Sequence, residues 1–163
     1  MSSIAVAKVV KPTDTSQNFC WETALSQLTD FKLHTKIKLS LLWASTVLCY
    51  IYCDYFELYV PGKLEGMLQG NGLFGTVTQG ALVATSVLLA IPCLLVFLSS
   101  ALNPKTSQVL NVAFGVIYTL MMALLAFQAD WYFYKFFAAL EALLTALVVW
   151  YAWTWPKTAA NAA

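Results

Sequence analysis

Residues 49–63, CYIYCDYFELYVPGK, put two carboxylates at the end of a long apolar run, where a membrane helix ordinarily has none. Asp54 and Glu57 are three residues apart, so they share one helical face, and Tyr50 lies on that face one turn earlier. The preceding residues, from about 37, are apolar, and Pro61 with Gly62 closes the run. A segment over 37–60 has the length that a bilayer core needs, roughly 20 residues. Ionisable groups at such depth are costly. They turn toward the protein interior or water, which makes each a candidate functional group.

Composition supports a membrane setting for the whole chain. Of its 163 residues 60% are hydrophobic and 10% charged, and the mean hydropathy is +0.70. A soluble domain carries roughly 25% charged residues, so this chain cannot cover a water-facing surface. Its cations are all lysine and the net charge is +1. Without arginine forks or a basic patch, nucleic acid is not expected as a partner.

Outward from the first run, three further apolar segments follow, over about 77–102, 105–128 and 132–155. Pro92 interrupts the second and is expected to kink it. Gly80 and Ala84 suggest a small-residue contact there. Asn103 and Pro104 read as N-cap and first residue of the third segment, making segments two and three a hairpin. On the third, Asn111, Gly115, Tyr118 and Met122 share a face. On the fourth, Ala138, Ala142 and Ala146 suggest close approach of a neighbour. Trp131, Tyr132, Phe133 and Tyr134 form an aromatic belt at one end, and Trp150, Tyr151, Trp153 and Trp155 form one at the other.

The expected fold class is therefore all-α, a four-helix transmembrane bundle over 35–157. A mobile tail is expected over 1–17, an amphipathic interfacial helix over 18–34, and a polar tail over 158–163. Residues 61–76, with five glycines, read as a connecting loop. Lys32, Lys36, Lys38, Lys105 and Lys157 fall on the side of the termini, and Lys63 and Lys135 on the other. The positive-inside rule then places both termini in the cytoplasm, with Asp54, Glu57, Glu65 and Asp130 gathered at the outer face.

Glu141 is the deepest charge, about nine residues and so roughly 14 Å into the fourth helix. Tyr50 and Tyr118 reach similar depths on their own helices. The neutral acid can donate a hydrogen bond to a tyrosine oxygen or a carbonyl, which would make an interhelical clasp. Such bonds contribute only about 0.6 kcal/mol on average in membranes, a weak reason to keep a glutamate there. Asp54 and Glu57 sit near an interface, where water, Lys63 or Lys135 can satisfy them.

The expected ligand site is a polar pocket of Tyr50, Asp54, Glu57, Tyr118 and Glu141. No GxSxG, HExxH or Walker A motif is present, and the single histidine, His34, reads as a solvated interfacial residue. Neither catalytic residues nor a metal or other cofactor are expected. Cys20, Cys49, Cys53 and Cys93 form no CxxC, and a disulfide between Cys49 and Cys53 within one helix is geometrically poor.

The runs KIKLSLLWASTVLCYIYCDYFELYVPGKLEGML (36–68), TSQVLNVAFGVIYTL (106–120) and VVWYAWTWPK (148–157) together resemble a group of small bacterial four-helix membrane proteins of unknown function. The resemblance covers roughly residues 31–157, and its specific part is the YIYCDYFELYVPG block. It implies a multi-pass inner-membrane protein and supplies no catalytic residues. In layout alone the chain is also similar to DoxX-type membrane proteins. The expected activity is non-enzymatic: binding of a lipid or small amphiphile, or service as an accessory subunit. The expected partners are the lipid bilayer and a second copy or another membrane subunit. Two alternatives remain. One is a thiol or quinone oxidoreductase using Cys49, Cys53 and Cys93. The other is proton-coupled transport through Glu141.

Overall fold

The computed structural model describes residues 32–72 and 75–156. The tails expected over 1–17 and 158–163, and all but the last three positions of the expected amphipathic helix, lie outside the described residues. The fold is all-α. Its long helices are α1 (Thr35–Glu57), α3 (Gln79–Ala101), α4 (Pro104–Gln128) and α5 (Tyr132–Trp153). All four are long and apolar enough to cross a membrane.

Residues 61–76 are more ordered than a plain loop. They hold a one-and-a-half-turn helix, α2 (Lys63–Leu68), and a small antiparallel ribbon, β1 (Asn71–Gly72) with β2 (Gly75–Thr76). Gly62 starts α2 at φ +77°, and Gly70 leaves it at φ +85°, both in the left-handed region that side chains avoid. The run GNGLFG (70–75) has the G-x-G-x-x-G spacing of dinucleotide-binding loops. Its setting excludes that role, which needs a strand before it and a helix opening directly after it.

The helix ends follow local chemistry. The His34 side chain accepts a hydrogen bond from the Lys36 amide at 3.3 Å, so this histidine caps α1 rather than only meeting solvent. The Thr78 hydroxyl caps α3 through the Ala81 amide at 3.1 Å. Pro104 opens α4 after Asn103, where its missing N–H costs nothing. At the end of α1 the chain tightens into a turn through Val60 before Pro61 stops it.

The start of α1, the turn between α3 and α4, and the end of α5 meet at one end of the bundle, here called proximal. There the Lys36 ammonium donates to the Leu102 carbonyl at 2.6 Å, and His34 meets Trp155 edge to face. The distal end carries α2, the ribbon and the turn at residues 129–131.

Each long helix buries a stripe at steps of three and four. On α1 it is Leu39, Trp43, Thr46, Tyr50 and Cys53. On α4 it is Ser107, Asn111, Gly115, Tyr118 and Met122, and on α5 Ala138, Glu141, Thr145, Val148 and Ala152. Of the expected alanine row, Ala138 is buried and Ala142 packs against the core, but Ala146 is exposed, and α5 continues inward through Thr145 and Val148. Close approach occurs on α4. A Cβ built on Gly115 would lie 2.7 Å from Val149 Cγ2. Gly80 and Ala84 are both exposed and form no such contact.

The polarity is inverted relative to a soluble protein. Thr46, Ser99, Ser107, Asn111, Glu141 and Thr145 are buried, while Phe97, Val109, Leu120 and Leu124 lie exposed along the helices. In water this arrangement would be untenable. In hydrocarbon it is what packing requires.

Consecutive helices are not always the closest neighbours. α1 is wedged between α3 and α5, and α5 packs extensively on α4. α3 and α4, although joined by a short turn, touch far less than the other consecutive pairs of long helices. The buried residues of α3 are Pro92, Leu95 and Ser99, all in its proximal half. In its distal half a cavity lies between it and α4.

Candidate functional site

The site begins with a proline. Pro92 has no N–H, so the carbonyl of Leu88, one turn earlier, loses its helical partner. The Tyr118 hydroxyl on α4 donates to that carbonyl at 2.5 Å. Its ring also meets Trp43 edge to face, with centroids 5.8 Å apart. Tyr118, expected among the pocket's polar groups, therefore spends its hydroxyl on the helix backbone. It fixes the height at which α3 departs from α4.

Proximal to this point the interior is closed by satisfied polar groups. Trp43 Nε1 donates to Asn111 Oδ1 at 2.7 Å, and Ser99 Oγ donates to the same oxygen at 3.0 Å. Asn111 Nδ2 returns a bond to the Ser107 carbonyl at 2.7 Å, and Ser107 Oγ donates to the Ser99 carbonyl at 3.0 Å. These bonds join α1, α3 and α4. Between α4 and α5 the hydroxyls of Thr119 and Thr145 are 2.9 Å apart, and Thr145 also donates to the Glu141 carbonyl. The sequence reading placed Asn111 on the right face but did not single out this network. Trp, Asn and Ser recurring on three buried stripes is the signal that could have found it.

Distal to Tyr118 lies a cavity of about 350 Å³ to which α1, α3, α4 and α5 all contribute. Tyr50, Cys53 and Asp54 of α1 line it, facing Tyr134 and Glu141 of α5. Leu88 and Leu89 of α3 and Met121, Met122 and Leu125 of α4 complete a mostly apolar wall, to which Thr85 and Gln128 add polar side chains. Glu141 and Tyr50 are 3% and 7% exposed. Among the described residues, Glu141 Oε1 and the Tyr50 hydroxyl are the buried side-chain polar atoms without a hydrogen-bond partner. Asp54 is exposed, at the cavity's edge.

Three of the five expected pocket residues, Tyr50, Asp54 and Glu141, thus come together. Glu57 does not join them. Its carboxylate forms an ion pair with Lys63 at 2.5 Å, tying the start of α2 to the end of α1. It borders a second, more distal cavity of about 470 Å³, which shares Leu125, Gln128 and Tyr134 with the first. Cys53, Gln128 and Tyr134 were not expected at the site. They enter because the seam of α1 continues through Cys53, and because the first turn of α5 faces inward.

Cys49, Cys53 and Cys93 are free thiols, and Cys93 is exposed on α3. No group of three or more histidine, cysteine, aspartate or glutamate side chains among the described residues is placed to hold a metal ion.

Residues 27–162 match a family of unknown function (DUF6326). The chain belongs to that family. No curated protein and no solved structure matches it. The family supplies no activity, so the chemistry of the site rests on its own geometry.

Proposed function

We propose that the chain is a non-enzymatic multi-pass membrane protein whose distal cavity binds a small amphiphile or a lipid, alone or as a subunit of a larger membrane complex. One observation carries this reading: Glu141 Oε1 and the Tyr50 hydroxyl are buried, unpartnered, and both in the wall of one apolar cavity. A buried polar atom without a partner costs roughly 1–3 kcal/mol. Two of them facing one space are accounted for when a bound molecule supplies their partners. A mostly apolar cleft with a few convergent polar groups is also the usual form of a small-molecule site.

The asymmetry of the bundle supports a pocket over a passage. The proximal half is closed by the Trp43, Asn111, Ser99 and Ser107 bonds, whereas the distal half holds the cavity. The lysine bias supports an inner-membrane arrangement with both termini cytoplasmic and the cavity toward the outer leaflet.

The test is purification of the wild type and of the Asp54→Asn, Glu141→Gln double variant, followed by lipid and metabolite profiling of what copurifies. An amphiphile bound to the wild type and lost from the variant is the expected result. Identical ligand content in both would remove the proposal.

A second reading keeps one specific support. Cys53 lines the cavity as a free, buried thiol one turn from Cys49. A thiol redox role predicts that their oxidation state, read by mass spectrometry, follows the redox poise of the medium. Permanently reduced, unreactive thiols would end it.

A further inference from the structure

The charged groups lining the distal cavity are all acidic. Asp54 and Glu141 bring carboxyl oxygens, Tyr50 and Tyr134 bring phenol oxygens, and no lysine or histidine lines the space; Thr85, Cys53 and Gln128 add neutral polar groups that both donate and accept. Neither cation of the distal end lines it. Lys63 is ion-paired with Glu57 at 2.5 Å, and Lys135 lies over the Tyr132 ring at 5.7 Å from its centroid. All five acidic residues of the described chain (Asp54, Glu57, Glu65, Asp130 and Glu141) lie between mid-bundle and the distal end, against two lysines there.

A phosphate or carboxylate headgroup would enter this space against like charge, with no cation to receive it. A protonated amine would find acceptors, opposite charge and two tyrosine rings. Buried charges are tolerated only when paired and hydrogen-bonded, and an ammonium over an aromatic face gains further attraction. The entry route has matching chemistry. Leu89 lines the cavity opposite Met121, Met122 and Leu125 of α4 and is 37% exposed, and α3 and α4 make only sparse contact. An alkyl chain can lie between these two helices while the nitrogen sits deeper.

We propose that the occupant is an amphiphile with a protonated primary amine and no anionic group. Its nitrogen is held by Glu141, Tyr50 and Asp54, and its chain lies between α3 and α4. This deepens the binding function proposed above and rests on it. The volume of about 350 Å³ suits a short or medium chain.

The experiment compares three soluble probes of equal chain length, octylammonium, octanol and octanoate. They are titrated at neutral pH against the full chain in a nonionic detergent and read by native mass spectrometry. In the wild type octylammonium binds tighter than octanol by roughly tenfold or more, as expected for one charge-assisted bond, and octanoate binds weakest. Glu141→Gln removes the preference for the amine and leaves octanol binding in place. Asp54→Asn, at the exposed edge, reduces the preference and carries the test if the first variant does not fold. Equal binding of octanol and octylammonium to the wild type, or preference for octanoate, overturns the ammonium assignment while the cavity remains a binding site. Failure of all three probes to bind overturns the assignment and the underlying function together.

Discussion

At the residue scale, Tyr118 and Pro92 make one unit. The proline orphans the Leu88 carbonyl, and the tyrosine hydroxyl satisfies it at 2.5 Å. Tyr118→Phe should therefore cost roughly 1–3 kcal/mol, the penalty for a buried acceptor left alone. In a Pro92→Ala background the backbone regains an N–H for that carbonyl, and the same substitution should cost much less. Unfolding in mixed detergent micelles measures the double-mutant cycle, and simple additivity would refute the pairing. Asn111→Leu should be comparably costly, because it strands Trp43 Nε1 and Ser99 Oγ in the closed half. The expected loss is about 1–2 kcal/mol, the upper range for interhelical bonds in membranes. Unchanged stability would show that these donors find other partners. Some of this was legible beforehand. The depth of Glu141 and the shared face of Tyr50 and Asp54 follow from counting residues. The engagement of Tyr118 does not, because which hydroxyl meets which carbonyl depends on how far apart the helices stand.

At the element scale, the packing is decided by few contacts, and sequence spacing is an uneven guide to the small residues that make them. Gly80 and Ala84 have small-residue spacing but face outward, and so does Ala146, although Ala138 and Ala142 of its row are buried and half-buried. Gly115 is the position at which two helices meet, with Val149 Cγ2 only 2.7 Å from a built Cβ and Thr145 O at 3.5 Å. Valine is β-branched and cannot easily turn aside. Gly115→Ala should therefore destabilise the α4 and α5 pair by roughly 1–3 kcal/mol, as overpacking does. Gly80→Ala should be neutral, within about 0.5 kcal/mol, or slightly stabilising, since its nearest non-neighbouring atom is Thr78 Oγ1 at 4.0 Å. Thermal unfolding of the two variants separates the cases, and an equal loss in both would contradict this assignment of faces. Spacing fails here because every face of a membrane helix is apolar. Periodicity then marks small residues on lipid-facing and protein-facing sides alike. The polar stripes, which lipid excludes, were the better guide. Asn111, Gly115, Tyr118 and Met122 were grouped from sequence and are buried together.

At the scale of the whole molecule, four apolar helices were readable from length and hydropathy because hydrocarbon requires every backbone group to be satisfied within the segment. The cavity between α3 and α4 was not readable, since a short turn ordinarily implies close packing. Here the buried part of α3 ends at Pro92, and the cavity lies against the distal remainder. The charge distribution along the bundle carries the last prediction. Among the described residues of the bundle the proximal end has Lys36, Lys38 and Lys105 and no acid, while every acid lies from Glu141 outward to the distal turns. Engagement does not neutralise these lysines. Lys36 donates to main-chain carbonyls and Lys38 lies over the Tyr151 ring, both keeping full charge. The positive-inside rule predicts that the proximal end stays in the cytoplasm and that the distal cavity faces out. In a chain whose native cysteines are replaced by serine or alanine, Gln69→Cys should react with a membrane-impermeant maleimide on intact cells. Asn103→Cys and His34→Cys should react only after permeabilisation. Labelling of Asn103→Cys in intact cells with protection of Gln69→Cys would invert the molecule. The cavity would then draw its occupant from the cytoplasmic leaflet.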